Sequence, residues 1–175
     1  MFPTLETERL VLREIVPEDA QNIYSYFSNE DVIKYYGRDA MTQIAEAETL
    51  VQTFATNFSQ KKAIRWAIER KDEAGLIGTI GIHLWSTVHK RAEIGYELHP
   101  DFWRTGYTSE ALNKVVEYGF NELGLTRIGA IVYIENDASN QMLLKNGFKK
   151  EGIMQNYMYQ NDQAHDVYVL AKVRK

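Results

Sequence analysis

The chain contains no cysteine, which excludes disulfides, thiolate metal sites and a cysteine nucleophile. It has three prolines in 175 residues and no proline- or glycine-rich stretch. No linker divides it, so a single domain over residues 1–175 is expected. No apolar run reaches the about 18 residues that a membrane-spanning helix needs, so a soluble protein without a membrane partner is expected. A basic surplus is missing too. The net charge is -4, and the basic runs, such as Lys61-Lys62 and Lys149-Lys150, are no longer than pairs. That falls short of the patch by which proteins hold nucleic acid, and no nucleic-acid partner is expected. Met1–Glu6 lacks the basic stretch and apolar core of a secretory signal, which together with the missing cysteine points to the cytoplasm. None of His83, His89, His99 and His165 has the spacing of a metal site, so no metal is expected.

What is present is an ordinary globular composition, with 45% hydrophobic and 25% charged residues. Arg9–Arg13 alternates as a strand. Pro17-Glu18-Asp19 opens a helix carrying Ala20, Ile23, Tyr24 and Phe27 on one face. A short helical piece covers Asp31 to Tyr36, and Thr42 is placed to cap a long helix containing Ile44, Ala47, Val51 and Phe58. The period then changes. Ile64–Arg70, Leu76–Trp85 and Arg91–Leu98 read as three strands of an antiparallel meander. Thr108 or Ser109 caps a helix running to about Leu123, Thr126–Tyr133 is a strand, and Ser139–Asn146 is a short helix stopped by Gly147. Two strands, Lys149–Tyr159 and Ala164–Val173, close the chain around a turn at Gln160-Asn161-Asp162. The fold class is α+β, built on one sheet.

Two segments carry chemistry. In Glu97–Ala111 a strand ends at Leu98 and a loop feeds a helix N-terminus, where unpaired N–H groups and the positive end of the helix dipole converge. Gly106 lets a ligand approach the backbone there. An anion cradle and an ordinary capped helix both fit this pattern. In Glu135–Phe148, Asn136 follows a strand and Ser139 opens a helix. Their plain reading is a turn residue and a cap.

In this order the two segments resemble the GNAT acyltransferase superfamily, and within it the RimJ/RimL-like branch of ribosomal-protein N-terminal acetyltransferases. Glu6–Arg13 is similar to the branch's first strand, Glu93–Trp103 to its fourth strand and the loop that follows, Gly106–Ala111 to its acetyl-CoA loop, and Asn136–Phe148 to its asparagine–serine helix. The resemblance implies a mixed, mostly antiparallel seven-stranded sheet flanked by about four helices, with the fourth and fifth strands splayed to admit the pantetheine of acetyl-CoA. It implies that the loop from Trp103 through Arg104, Thr105, Gly106, Tyr107, Thr108 and Ser109 cradles the pyrophosphate by its backbone N–H groups. It further implies that Leu98 pairs its backbone with the pantetheine, that Asn136 holds the pantetheine arm by its side chain, and that Ser139 lies near the sulfur. The sequence departs from the pattern at Trp103, where the superfamily has glutamine or arginine, at Thr108, where it has a small residue, and at Arg104, where the branch has glycine.

The implied reaction moves an acetyl group from acetyl-CoA to a primary amine, foremost a protein or peptide N-terminal α-amine. A small amine such as a polyamine or aminoglycoside, and an acyl-CoA-binding module without turnover, are the alternatives. Ser139 either protonates the leaving thiolate or caps its helix. Glu93 and Glu97, four residues apart on one strand, share a face. Glu93 resembles the base of the histone-acetylating branch and Glu97 is a candidate to act through a water, while the commoner fate of strand glutamates is to face solvent or form a cross-strand ion pair. Binding and orientation alone can also supply much of the rate. Homodimers are common in the branch, which makes a second copy an implied partner.

Overall fold

The computed structural model describes all of residues 1–175. In chain order the elements are β1 (Leu5–Glu6), β2 (Leu10–Glu14), α1 (Ala20–Phe27), α2 (Glu30–Ile33), α3 (Ile44–Ser59), β3 (Ile64–Arg70), β4 (Leu76–Ser86), β5 (Arg91–Leu98), α4 (Tyr107–Asn121), β6 (Arg127–Tyr133), α5 (Asp137–Lys145), β7 (Lys149–Gln160) and β8 (Gln163–Val173). The strands form one eight-stranded sheet in the order β1-β2-β3-β4-β5-β6-β8-β7. The strand beyond the expected seven is β1, two residues long, which pairs Leu5 with Leu12 and Glu6 with Val11.

Alternation along β3 shows how the sheet separates two cores. Trp66 and Ile68 face one way into a cluster with Leu10, Ile80, Ile94 and the α4 residues Leu112, Val115 and Val116. Ala67 faces the other way into a cluster with Ile23, Phe27 and Val51 from α1 and α3. Period-two side chains on a sheet buried on both faces produce this division.

All strand pairs are antiparallel except β5 with β6. That parallel pair is brief. It joins Arg91 to Arg127, Ala92 to Ile128 and Glu93 to Gly129, although β5 continues to Leu98 and β6 to Tyr133. The two strands therefore part after Glu93, as the resemblance implies.

The helix ends differ from the sequence reading. The first turn of α3 is capped by Gln43, and Glu46 reaches back to accept from the N–H groups of Thr42 (2.8 Å) and Gln43 (3.0 Å). The N-cap of α4 is Gly106, not Thr108 or Ser109, which lie inside the helix. The N-cap of α5 is Asn136, not Ser139. The final hairpin turns on Asn161 and Asp162, both with positive φ, and Gln160 is a buried part of β7. Gly147, with φ +86, ends α5 in a Schellman motif: Phe148 N–H donates to Leu143 C=O and Gly147 N–H to Leu144 C=O.

Candidate active site

Three pieces of chain meet where β5 and β6 part. The first is the end of β5. His99 N–H donates to Ile77 C=O at 2.8 Å, so Leu98, one residue earlier, turns its own N–H and C=O away from β4 and toward the opening. The Leu98 carbonyl accepts the indole N–H of Trp103 at 2.7 Å. This bond folds the loop back against the strand that precedes it and gives Trp103 a structural task at the position of the sequence departure.

The second piece is the loop into α4. Arg104 has φ +60 and Gly106 φ +83. These two left-handed residues turn the chain so that successive N–H groups point outward ahead of the helix. No acceptor in the protein meets the N–H groups of Arg104, Thr105, Gly106, Thr108 or Ser109, and Tyr107 N–H reaches only Thr105 Oγ1, at 3.4 Å. Donors in this number at the positive end of a 15-residue helix are suited to an anion. Of the two readings of this segment, the geometry favours the cradle. The Ser109 hydroxyl is engaged with Asn146 at the end of α5, so only its backbone N–H faces outward.

The third piece is the start of α5. Asn136 Oδ1 accepts from Ser139 N–H at 3.3 Å, which satisfies one of the unpaired donors of the first turn. Ser139 is thereby released from capping, and its Oγ lies 2.6 Å from Tyr96 Oη. This contact spans the opening from β5 to α5. Tyr96 is half-buried, and the loss of water around its phenol pushes it up to about 12 against the smaller opposing effect of the Ser139 bond. Tyr96 thus stays protonated at neutral pH.

The two glutamates of β5 have different surroundings. Glu97 is buried at 6% exposure and is bonded to the Arg65 guanidinium, to the Thr79 hydroxyl and to Tyr26 Oη. Arg65 also donates to Gly95 C=O and Tyr36 Oη. Burial opposes the charge on Arg65, but Glu97 and the neighbouring tyrosines hold it as a cation, with its pKa above the ordinary value. Burial of the Tyr26 and Tyr36 phenols raises them above theirs. Both Glu97 oxygens are committed, so of its two readings the geometry favours the ion pair over the base. Glu93 sits at the last paired position before the strands part, opposite His83, whose Nε2 is 3.5 Å from its carboxylate.

One feature escaped the sequence reading. Glu110, in the first turn of α4, accepts from the Thr7 hydroxyl (2.5 Å), the Arg9 N–H (2.8 Å) and Arg9 Nε (2.7 Å). Burial would raise the Glu110 pKa, but these bonds outweigh it and hold the carboxylate below its usual range. No signal in a single sequence links positions 101 apart. No group of three or more histidines, aspartates or glutamates is arranged to hold a metal ion, and no helix is long and apolar enough to cross a membrane.

Residues 9–149 match the model of the acetyltransferase (GNAT) domain. The chain is 52% identical over 177 residues to the uncharacterized N-acetyltransferase YoaA of Bacillus subtilis, covering 100% of both chains. It is 33% identical over 106 residues to the ribosomal-protein-serine acetyltransferase of Escherichia coli, covering 61% of this chain and 58% of that protein. Among solved structures, a spermidine N-acetyltransferase from Vibrio cholerae in complex with CoA and spermine superposes with a TM-score of 0.84 at 21% identity, covering 95% of this chain and 96% of that one. The parted strands, the N–H-lined loop and the family match agree: the chain belongs to the GNAT acetyltransferase family and is an enzyme that transfers an acetyl group to an amine.

Proposed function

We propose that the acceptor is the α-amine of a peptide or protein N-terminus and that the donor is acetyl-CoA. The observation that carries the donor side is the row of N–H groups from Arg104 to Ser109 beside the parted strands, all without an acceptor except Tyr107 with its long bond to Thr105 Oγ1, since a pyrophosphate suits many short donors at a helix N-terminus. On the acceptor side, an open trough of about 320 Å³ runs past Lys34, Tyr35, Tyr133, Glu135 and His165. Its lining holds a single carboxylate, Glu135, and one lysine, Lys34. A polyamine with several positive charges would be poorly matched by that balance, whereas a peptide presents one ammonium and a polar backbone. The name of the Escherichia coli relative, a ribosomal-protein-serine acetyltransferase, supports the same class.

Bound acetyl-CoA supplies an activated thioester. The residues of the chain do the rest. Leu98 N–H, turned toward the opening, donates to the acetyl carbonyl oxygen as negative charge develops there. Asn136 keeps its side-chain N–H₂ for the pantetheine arm, its oxygen being used on Ser139 N–H. Glu93 accepts the proton that the acceptor ammonium must lose before its nitrogen attacks the carbonyl carbon. As the carbon–sulfur bond breaks, Ser139 Oγ, oriented by Tyr96, donates its proton to the thiolate and takes in its place the second proton that the newly acylated nitrogen sheds. Glu97 holds β3, β4 and β5 in register through Arg65 and Thr79.

The test is thiol release from acetyl-CoA with a panel of peptides bearing free N-termini, spermidine, spermine and aminoglycosides. Turnover confined to peptides is the expected result. Turnover confined to polyamines or aminoglycosides would overturn the acceptor assignment, and tight CoA binding with no turnover on any acceptor would point to a binding module.

A further inference from the structure

Resting on the reading of the α4 loop as the phosphate cradle, we propose that Arg9, contributed by the N-terminal segment, is a phosphate-binding residue for the donor. Arg9 is fixed from three sides. Its Nε donates to Glu110 at 2.7 Å, its Nη1 donates to Thr105 C=O at 3.1 Å, and its guanidinium carbon lies 4.4 Å from the centre of the Tyr107 ring. Its own backbone N–H donates to Glu110 as well. The remaining guanidinium nitrogen, Nη2, has no acceptor. It lies beside Gly106, 3.4 Å from where a Cβ on that glycine would stand, and the side chain is 43% exposed.

A cation held this way differs from a surface arginine. The ordering of its long side chain is already accomplished by Glu110, Thr105 and Tyr107, so little further entropy is lost when it meets an anion. Its unpaired N–H₂ stands at the same N-cap as the unpaired backbone donors, where charge-assisted bonds to phosphate add to the helix dipole. The Glu110 carboxylate lies on the Nε side and leaves the Nη2 side open. Acetyl-CoA carries two phosphate sources, the pyrophosphate and the 3′-phosphate, and the guanidinium suits either.

Calorimetric titration of the full chain and of Arg9→Gln with CoA and with 3′-dephospho-CoA tests this. Turnover of acetyl-pantetheine, which has no phosphate, is measured alongside. Arg9→Gln is expected to weaken CoA binding about tenfold, one charge-assisted bond, and to leave acetyl-pantetheine turnover within twofold of the parent. Equal weakening of CoA and 3′-dephospho-CoA assigns the contact to the pyrophosphate, and loss with CoA alone assigns it to the 3′-phosphate. Either supports the proposal. Arg9→Lys, which keeps the charge without the fork, is expected to restore affinity to within about threefold, and it serves also if the glutamine variant folds poorly. Unchanged CoA affinity in both variants, or an equal loss with acetyl-pantetheine, would overturn the proposal while leaving the cradle intact. Failure of the unmodified chain to bind CoA at all would instead remove the functional reading beneath it.

Discussion

At the scale of single residues, Asn136 and Ser139 divide two tasks that the sequence leaves as alternatives for the serine. Asn136 caps α5 and Ser139 faces Tyr96. Ser139→Ala is therefore expected to lower kcat by about 10²-fold, the usual scale of general-acid loss, with little change in stability. Asn136→Ala is expected to cost about 1 kcal/mol, the usual worth of a cap. Steady-state kinetics and urea denaturation of the two variants separate the roles, and a stability loss in Ser139→Ala matching that of Asn136→Ala would contradict the assignment. Tyr96 adds a pH dependence. Its folded pKa is raised to about 12 from the ordinary phenol value of about 10, so its contribution to stability is complete below about pH 10 and is lost as pH rises toward 12. The stability of the parent should fall more steeply than that of Tyr96→Phe across that interval, read by urea midpoints. Parallel curves would mean that Tyr96 is not held neutral by its surroundings.

The buried Arg65–Glu97 pair belongs to the same scale. Arg65→Met leaves a carboxylate in a site with 2% side-chain exposure and is expected to destabilise by about 3–5 kcal/mol. The double variant Arg65→Met, Glu97→Leu removes both charges and should recover most of that loss. A single variant as stable as the parent would show that Glu97 finds another partner or a proton.

At the scale of elements, much was legible and the exceptions have physical causes. The change from period 3.6 to period 2 near Ile64 shows in the sequence, and β3, β4 and β5 lie where it places them. A two-residue strand has no period to read, and β1 was missed for that reason. Caps slipped by one to three residues at Gln43, Gly106 and Asn136 because several polar residues compete at each helix start, and only backbone conformation selects among them. Of the candidate site, the loop and the asparagine–serine turn were legible as local patterns. The Arg9–Glu110 tether and the commitment of Glu97 to Arg65 depend on packing between distant segments. Arg104 offers a test at this scale. A non-glycine residue at φ +60 carries about 1–2 kcal/mol of strain, partly offset by the about 0.5–1 kcal/mol entropic cost of glycine. Arg104→Gly is expected to raise the melting temperature by a few degrees. A fall would show that the arginine makes contacts worth more than its backbone strain.

At the scale of the whole molecule, the opening between β5 and β6 interrupts a sheet that is otherwise continuous from β1 to β7. Beyond Glu93 and Gly129, the halves to either side meet through bridges such as Tyr96 with Ser139 and Ser109 with Asn146. A donor bound across the opening would link the two halves, and its binding energy would add to the stability of the fold. At a hundredfold excess over its dissociation constant a ligand contributes about 2.7 kcal/mol, equivalent to about 5–10 °C in a chain of this length. The stabilisation should also be local. With CoA bound, amide hydrogen exchange should slow most at Arg104–Ser109, whose N–H groups, apart from the long Tyr107 bond to Thr105 Oγ1, have no acceptor in the protein, and at Leu98. The amides of α1 and α3, which pack on the opposite face of the sheet, should gain only what global stabilisation confers on every slow amide. Slowing confined to α1 and α3, with the Arg104–Ser109 amides unchanged, would place the ligand on the wrong face and remove the basis for the cradle.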